Sequence, residues 1–98
     1  MIIVSQDKDK ILNYNNITQI YIGYAENNKK RSIRCETLTG THAALGTYET
    51  EERAKEVLEE ITNMYKATES FTAAANRVSD NVGALVMKKG FAYYMPLQ

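Results

Sequence analysis

The chain is poor in the residues that build covalent or metal chemistry. Its 98 residues include one cysteine, Cys35, and one histidine, His42. A lone thiol forms no internal disulfide, and no second ligand stands at metal-binding spacing from it, so neither a metal nor a cofactor is expected. That cysteine usage fits a reducing compartment, and a cytoplasmic location is expected. Charge of either sign is not in excess, because twelve Lys and Arg balance twelve Asp and Glu. The broad positive field of a duplex-DNA binder is therefore missing, while a local basic pocket stays possible. No apolar run approaches the ~20 residues of a membrane span. In MIIVSQDK a short apolar run precedes the charges, the wrong order and length for a signal peptide. Neither duplex nucleic acid nor a membrane is an expected partner.

What is present reads as one α+β domain over residues 1–98, long enough to bury a modest core without staples. MIIV is a short strand candidate, followed by the polar turn SQDKDK; the two asparagines of KILNYNN suit a bend. ITQIYIGY alternates, with Ile20, Ile22 and Tyr24 on one face and Gln19, Tyr21 and Gly23 on the other. After the polar loop AENNKK, RSIRCETL alternates again, setting Ile33, Cys35 and Thr37 opposite Arg34, Glu36 and Leu38. A turn at Gly40 leads into HAALGTY as a further strand. ALVMKKGFAYYM reads as two more strands around Lys89-Gly90, and Pro96 ends the last. The sheet is expected to be mostly antiparallel.

Between these strands lies TEERAKEVLEEI. Thr50 is an N-cap candidate, and Glu51 and Glu52 suit the first turn of a helix. Ala54, Val57, Leu58, Ile61, Met64 and Tyr65 recur at helical spacing and form one apolar stripe. The glutamates fall largely off that stripe, so they read as a solvated face rather than an acid–base site. A short second helix is expected from about Ser70 to Val78.

Chemistry-bearing residues are scattered. His42 would need a nucleophile and an orienting acid; Thr41 and Glu36 are the nearest candidates, and no motif links them. Cys35 alternates with Ile33 and reads as core. LTGTHAALG lacks the lysine and hydroxyl of a phosphate loop. No catalytic constellation emerges, and the chain is not expected to be an enzyme. The segment from Phe71 to Lys89 gathers the residue types that nucleotide recognition uses. Phe71 offers a face for a base, Asn76 an amide for its edge, and Arg77, Lys88 and Lys89 offer phosphate contacts. Arg34, on the polar side of its strand, joins this ligand-binding set. A polar surface connection is the alternative reading of the same segment. Seven tyrosines, among them Tyr21, Tyr93 and Tyr94 on candidate strands, make a sticky sheet face and a homo-oligomer reasonable expectations.

The opening IIVSQDKDKILNYNNI, the stretch LGTYETEERAKEVLEEI and the ending FAYYMP resemble small proteins of bacteriophages and prophages of Gram-positive bacteria. Proteins of this size and layout include the Thoeris anti-defence sponges, which sequester cyclic ADP-ribose signals. The resemblance implies a non-enzymatic oligomer with an N-terminal antiparallel sheet and a helical C-terminal part, and it assigns no ligand residue in this chain. The expected function is therefore that of a phage-type counter-defence protein in the host cytoplasm. It would bind and sequester a small signalling nucleotide, a cyclic ADP-ribose isomer or a cyclic oligonucleotide, without turnover. The alternative is a protein-binding inhibitor or accessory module that docks on a host protein through its sheet.

Overall fold

A computed structural model describes residues 1–78 and 91–98, with 71–78 described by their backbone alone. The elements run in the order β1 (Ile2–Val4), β2 (Ile11–Asn13), a 3-10 turn (Tyr14–Asn16), β3 (Ile17–Ala25), β4 (Lys30–Thr37), β5 (His42–Tyr48), α1 (Glu51–Val78) and β6 (Ala92–Tyr94). The fold is α+β and mostly sheet. Among the described residues there are two sheets of three strands rather than one sheet, ordered β2-β1-β6 and β3-β4-β5. The pairings among the described residues are antiparallel except β1 with β6, which run parallel.

Two bulges decide which side chains reach the core. In β3 the register shifts between Ile17 and Gln19, so Thr18 is the extra residue. The shift puts Ile17 on the same side as Ile20 and Ile22, and all three pack against the core. In β5 the register shifts at Leu45, because Ile33 faces Gly46 while Arg34 faces Ala44. Leu45 and Tyr48, three apart, then both point inward and are fully buried. The freed Leu45 carbonyl accepts a hydrogen bond from the Gln6 amide at 2.8 Å, which ties β5 to the end of β1. Gly46 has no room for a side chain: an added Cβ would lie 3.0 Å from Tyr48 Oη and 3.3 Å from Gln6 Cβ.

Gln6 continues this seam. Its side-chain oxygen accepts from the Thr47 amide at 2.9 Å, and its Nε2 faces the carbonyls of Thr47, Pro96 and Leu97 at 2.9–3.1 Å. The amide has two protons, so three carbonyls share them. Tyr48 donates to the Pro96 carbonyl at 2.8 Å. One glutamine and one tyrosine thus hold the C-terminal segment against β5.

α1 begins where Thr50 predicts, with Thr50 Oγ1 accepting from the Arg53 amide at 3.1 Å. Ala54, Val57 and Ile61 are buried against Ile3, Ile33, Cys35, Leu45, Tyr48, Tyr93 and Met95. Leu58 is only partly buried, and Met64 is 37% exposed, so the apolar stripe leaves the sheet after Ile61. The helix also outruns the sheet: twenty-eight helical residues rise about 42 Å, while the nine of β3 span about 30 Å. Beyond the sheet Tyr65 stacks on Tyr14, with ring centroids 4.4 Å apart.

The expected short second helix is instead the end of α1. Nothing between Lys66 and Val78 carries the Gly or Pro that would stop a helix, and the alanines favour continuing it. The strand expected in ALVM lies outside the described residues. The glutamates of α1 are exposed, as expected, though three also make contacts, Glu69 by accepting from the Tyr65 hydroxyl. Arg53 Nη1 lies 3.0 Å from Glu56 and 3.6 Å from Glu60, and Tyr93 donates to Glu60 at 2.7 Å. Tyr93 itself is buried, so it is not part of a sticky surface.

Candidate functional site

The sheet β3-β4-β5 has two unlike faces. Its inner face carries Ile20, Ile22, Ile33, Cys35 and Leu45 against α1. The strand register places three polar rows on the outer face: Gln19–Glu36–His42, Tyr21–Arg34–Ala44 and Gly23–Ser32–Thr47. Apart from buried Ser32, these side chains stay partly or fully exposed.

Arg34 occupies the centre of this face. Its stem lies over Gly23, where an added Cβ would sit 3.3 Å from Arg34 Cδ. Small residues around it, Gly23 on β3, Ser32 on β4 itself, and Ala44 and Thr47 on β5, leave space. Among the described residues the guanidinium has no hydrogen-bond or ion-pair partner. Five donors in a planar fork are therefore free to meet an anion.

Beside it runs a chain of polar contacts. Gln19 Nε2 donates to Glu36 Oε2 at 2.9 Å. His42 Nε2 lies 3.6 Å from the same oxygen, too long for a hydrogen bond. His42 Nδ1 and the Tyr21 hydroxyl are hydrogen-bonded at 2.9 Å, with the donor set by the imidazole tautomer. The two rings meet edge to face, 6.0 Å between centroids. Sequence reasoning named Glu36 beside His42, and the antiparallel register of β4 and β5 brings them together. It missed Tyr21. The only signal available was parity: Tyr21 shares a face with Gln19, and pairing across β4 then follows.

The other expected partner of His42 is engaged elsewhere, since Thr41 Oγ1 lies 3.3 Å from Thr39 Oγ1. Cys35 is on the opposite face of the sheet from His42, fully buried. Burial pushes its thiol pKa up, away from the thiolate a nucleophile requires. A Cys35–His42 pair is therefore not formed. Among the described residues no three His, Cys, Asp or Glu side chains converge as a metal-ligand set. No described helix is long and apolar enough to cross a membrane.

Of the ligand-binding residues expected from sequence, Arg34 is placed with its side chain. Phe71, Asn76 and Arg77 fall on the last turns of α1, described by backbone alone. Positions 71 and 77 are six residues apart and lie about 120° from each other around the helix axis. Lys88 and Lys89 lie outside the described residues.

Two concavities lie away from Arg34. A cleft of about 250 Å³ sits between the start of β3 and α1, lined by Tyr14, Ile17, Ile20, Leu58 and Ile61 among others. A wider one of about 710 Å³ opens beside β2, between Ile11 and Leu38, with Thr37, Thr39 and Thr41 on its wall. Comparison of the chain with protein-family models, curated proteins and solved structures gives no match.

Proposed function

We propose that this chain is a non-enzymatic binding protein that holds a small anionic nucleotide on the outer face of β3-β4-β5. The observation that carries this reading is the guanidinium of Arg34, without a partner among the described residues, on an exposed, polar sheet face. A buried or idle arginine normally finds a carboxylate or a carbonyl. This one lies over a glycine, with an aromatic residue next to it in the same row and carboxylate and amide groups one row away. Arg34 would grip a phosphate, the Tyr21 and His42 rings would flank a base, and Gln19 with Glu36 would meet its polar edge. The resemblance to anti-defence sponges supplies the ligand class and the biological setting: a cyclic ADP-ribose isomer or a cyclic oligonucleotide, withheld from a host receptor by a phage-type protein.

Titrating the purified protein with ADP, cyclic ADP-ribose and a cyclic dinucleotide in a calorimeter tests this. Binding is expected for at least one, with the ligand recovered chemically intact after heat denaturation. Recovery of a cleaved product would make the protein an enzyme, and silence across the whole panel would end the nucleotide reading. A second reading is favoured by the mixed aromatic and polar make-up of the face, where Tyr21 sits beside Arg34 as in many protein interfaces. On that reading the same face docks a host protein, and the nucleotides give no heat.

A further inference from the structure

The small sheet β2-β1-β6 has an outer face unlike that of its larger neighbour. Its inner positions, Ile3, Leu12 and Tyr93, belong to the core. The register puts Ile11–Val4–Tyr94 and Asn13–Ile2–Ala92 in two rows on the other side. Five of those six residues are apolar and none is charged. Ile11 is 68% exposed, Tyr94 63% and Ile2 37%, while Val4 between Ile11 and Tyr94 is buried. An outer sheet face is ordinarily polar; here it reads like an inner one.

The apolar band continues past β2. Ile11 lines the concavity of about 710 Å³, whose far wall carries Leu38, itself 67% exposed. A large aromatic or aliphatic side chain carries 150–250 Å² or somewhat less, so the band presents on the order of 400–500 Å² of apolar surface. That is the size of a typical monomer's largest apolar patch, which is often functional, and more than half of the ~800 Å² that each partner contributes to a standard interface.

We propose that this face joins two copies of the chain about a two-fold axis parallel to β1. The geometry selects the second copy as the occupant. The knob of the band, Tyr94, is on the β6 edge of the sheet, and the hollow is beside β2, on the opposite edge. Stacking two such sheets face to face about an axis along β1 sets each β6 over the other copy's β2. Each Tyr94 ring then meets Ile11 and the concavity of its partner, where the hydroxyls of Thr37, Thr39 and Thr41 offer its phenol polar neighbours. The contact is isologous, so one knob and one hollow are each used twice. With no charge in either row, no ionised group loses its water without a partner.

Sedimentation velocity of the intact protein is expected to show twice the 11.1 kDa chain mass. Tyr94→Asp is expected to give a monomer with an unchanged circular-dichroism spectrum, since Tyr94 makes no part of the core. A mixture of Tyr94→Cys and Ile11→Cys chains is expected to form a mixed disulfide-linked pair on oxidation, the native Cys35 being buried. A parent protein that is monomeric throughout would overturn the proposal. So would a dimer that survives Tyr94→Asp, or one in which the two cysteine variants do not cross-link.

Discussion

Arg34 is the residue on which the functional reading turns, and its setting comes from its neighbours' lack of size. Gly23 leaves the space that the arginine stem fills, and Ala44 on the other side adds no bulk. Arg34→Ala is expected to weaken nucleotide binding at least tenfold without changing the unfolding midpoint, because charge-assisted bonds to phosphate contribute roughly 1.5–3 kcal/mol each. Arg34→Lys should recover only part of that, since an ammonium gives a point charge without the planar fork. Gly23→Ala is a subtler probe. Its new methyl would push the Arg34 stem aside, so binding should fall while the strand, which tolerates alanine, stays paired. Calorimetric titration of the three variants decides each case. The sequence placed Arg34 on the polar side of β4 by alternation alone. That its guanidinium has no partner among the described residues was not legible, because this depends on which residues β3 and β5 bring alongside.

At the scale of elements, α1 was readable in its start, its apolar stripe and its wet acidic face. Its length was not, because a stretch of alanines and polar residues signals neither a stop nor a restart. The strands were legible by period, yet each bulge was hidden. A period of two cannot predict that Thr18 and Leu45 are extra residues, although Ile17 against Ile20 and Leu45 against Tyr48 break the alternation in hindsight. The packing of α1 makes a graded prediction. Ile61→Ala removes a side chain that is 2% exposed in the core and should cost about 2–5 kcal/mol in chemical denaturation. Leu58→Ala should cost about 1–2 kcal/mol, since Leu58 is half-buried and already borders the cleft of about 250 Å³. Equal costs would mean that the two positions face the core alike, against the geometry.

Across the whole molecule the least legible feature was the pairing of β1 with β6, which joins the two ends of the described chain. No local pattern encodes a parallel contact over so long a separation. Two buried phenols fasten this region. Burial, outweighing the nearby Arg53 cation, pushes Tyr48 up to about 12. Burial first, and then the hydrogen bond to Glu60, raises Tyr93 as well. A phenol raised by folding stays neutral after its unfolded counterpart, near 10, has begun to ionise. The stability these groups contribute is therefore complete below about pH 10 and is lost as pH climbs toward 12, by on the order of 1–2 kcal/mol for Tyr48. Denaturation midpoints measured from pH 7 to 12 should be flat at first and then fall. Tyr48→Phe should fall less steeply over the same range.

The central claim, that a nucleotide lies on the outer face of β3-β4-β5, is tested most directly by mapping backbone amide shifts in a nuclear magnetic resonance spectrum as cyclic ADP-ribose is added. The expected shifts cluster at Tyr21, Gly23, Arg34 and Ala44, which share that face, and leave Ile61 and the rest of the inner core still. Shifts confined to the turns of α1 that carry Phe71, Asn76 and Arg77 would place the ligand elsewhere and contradict the account.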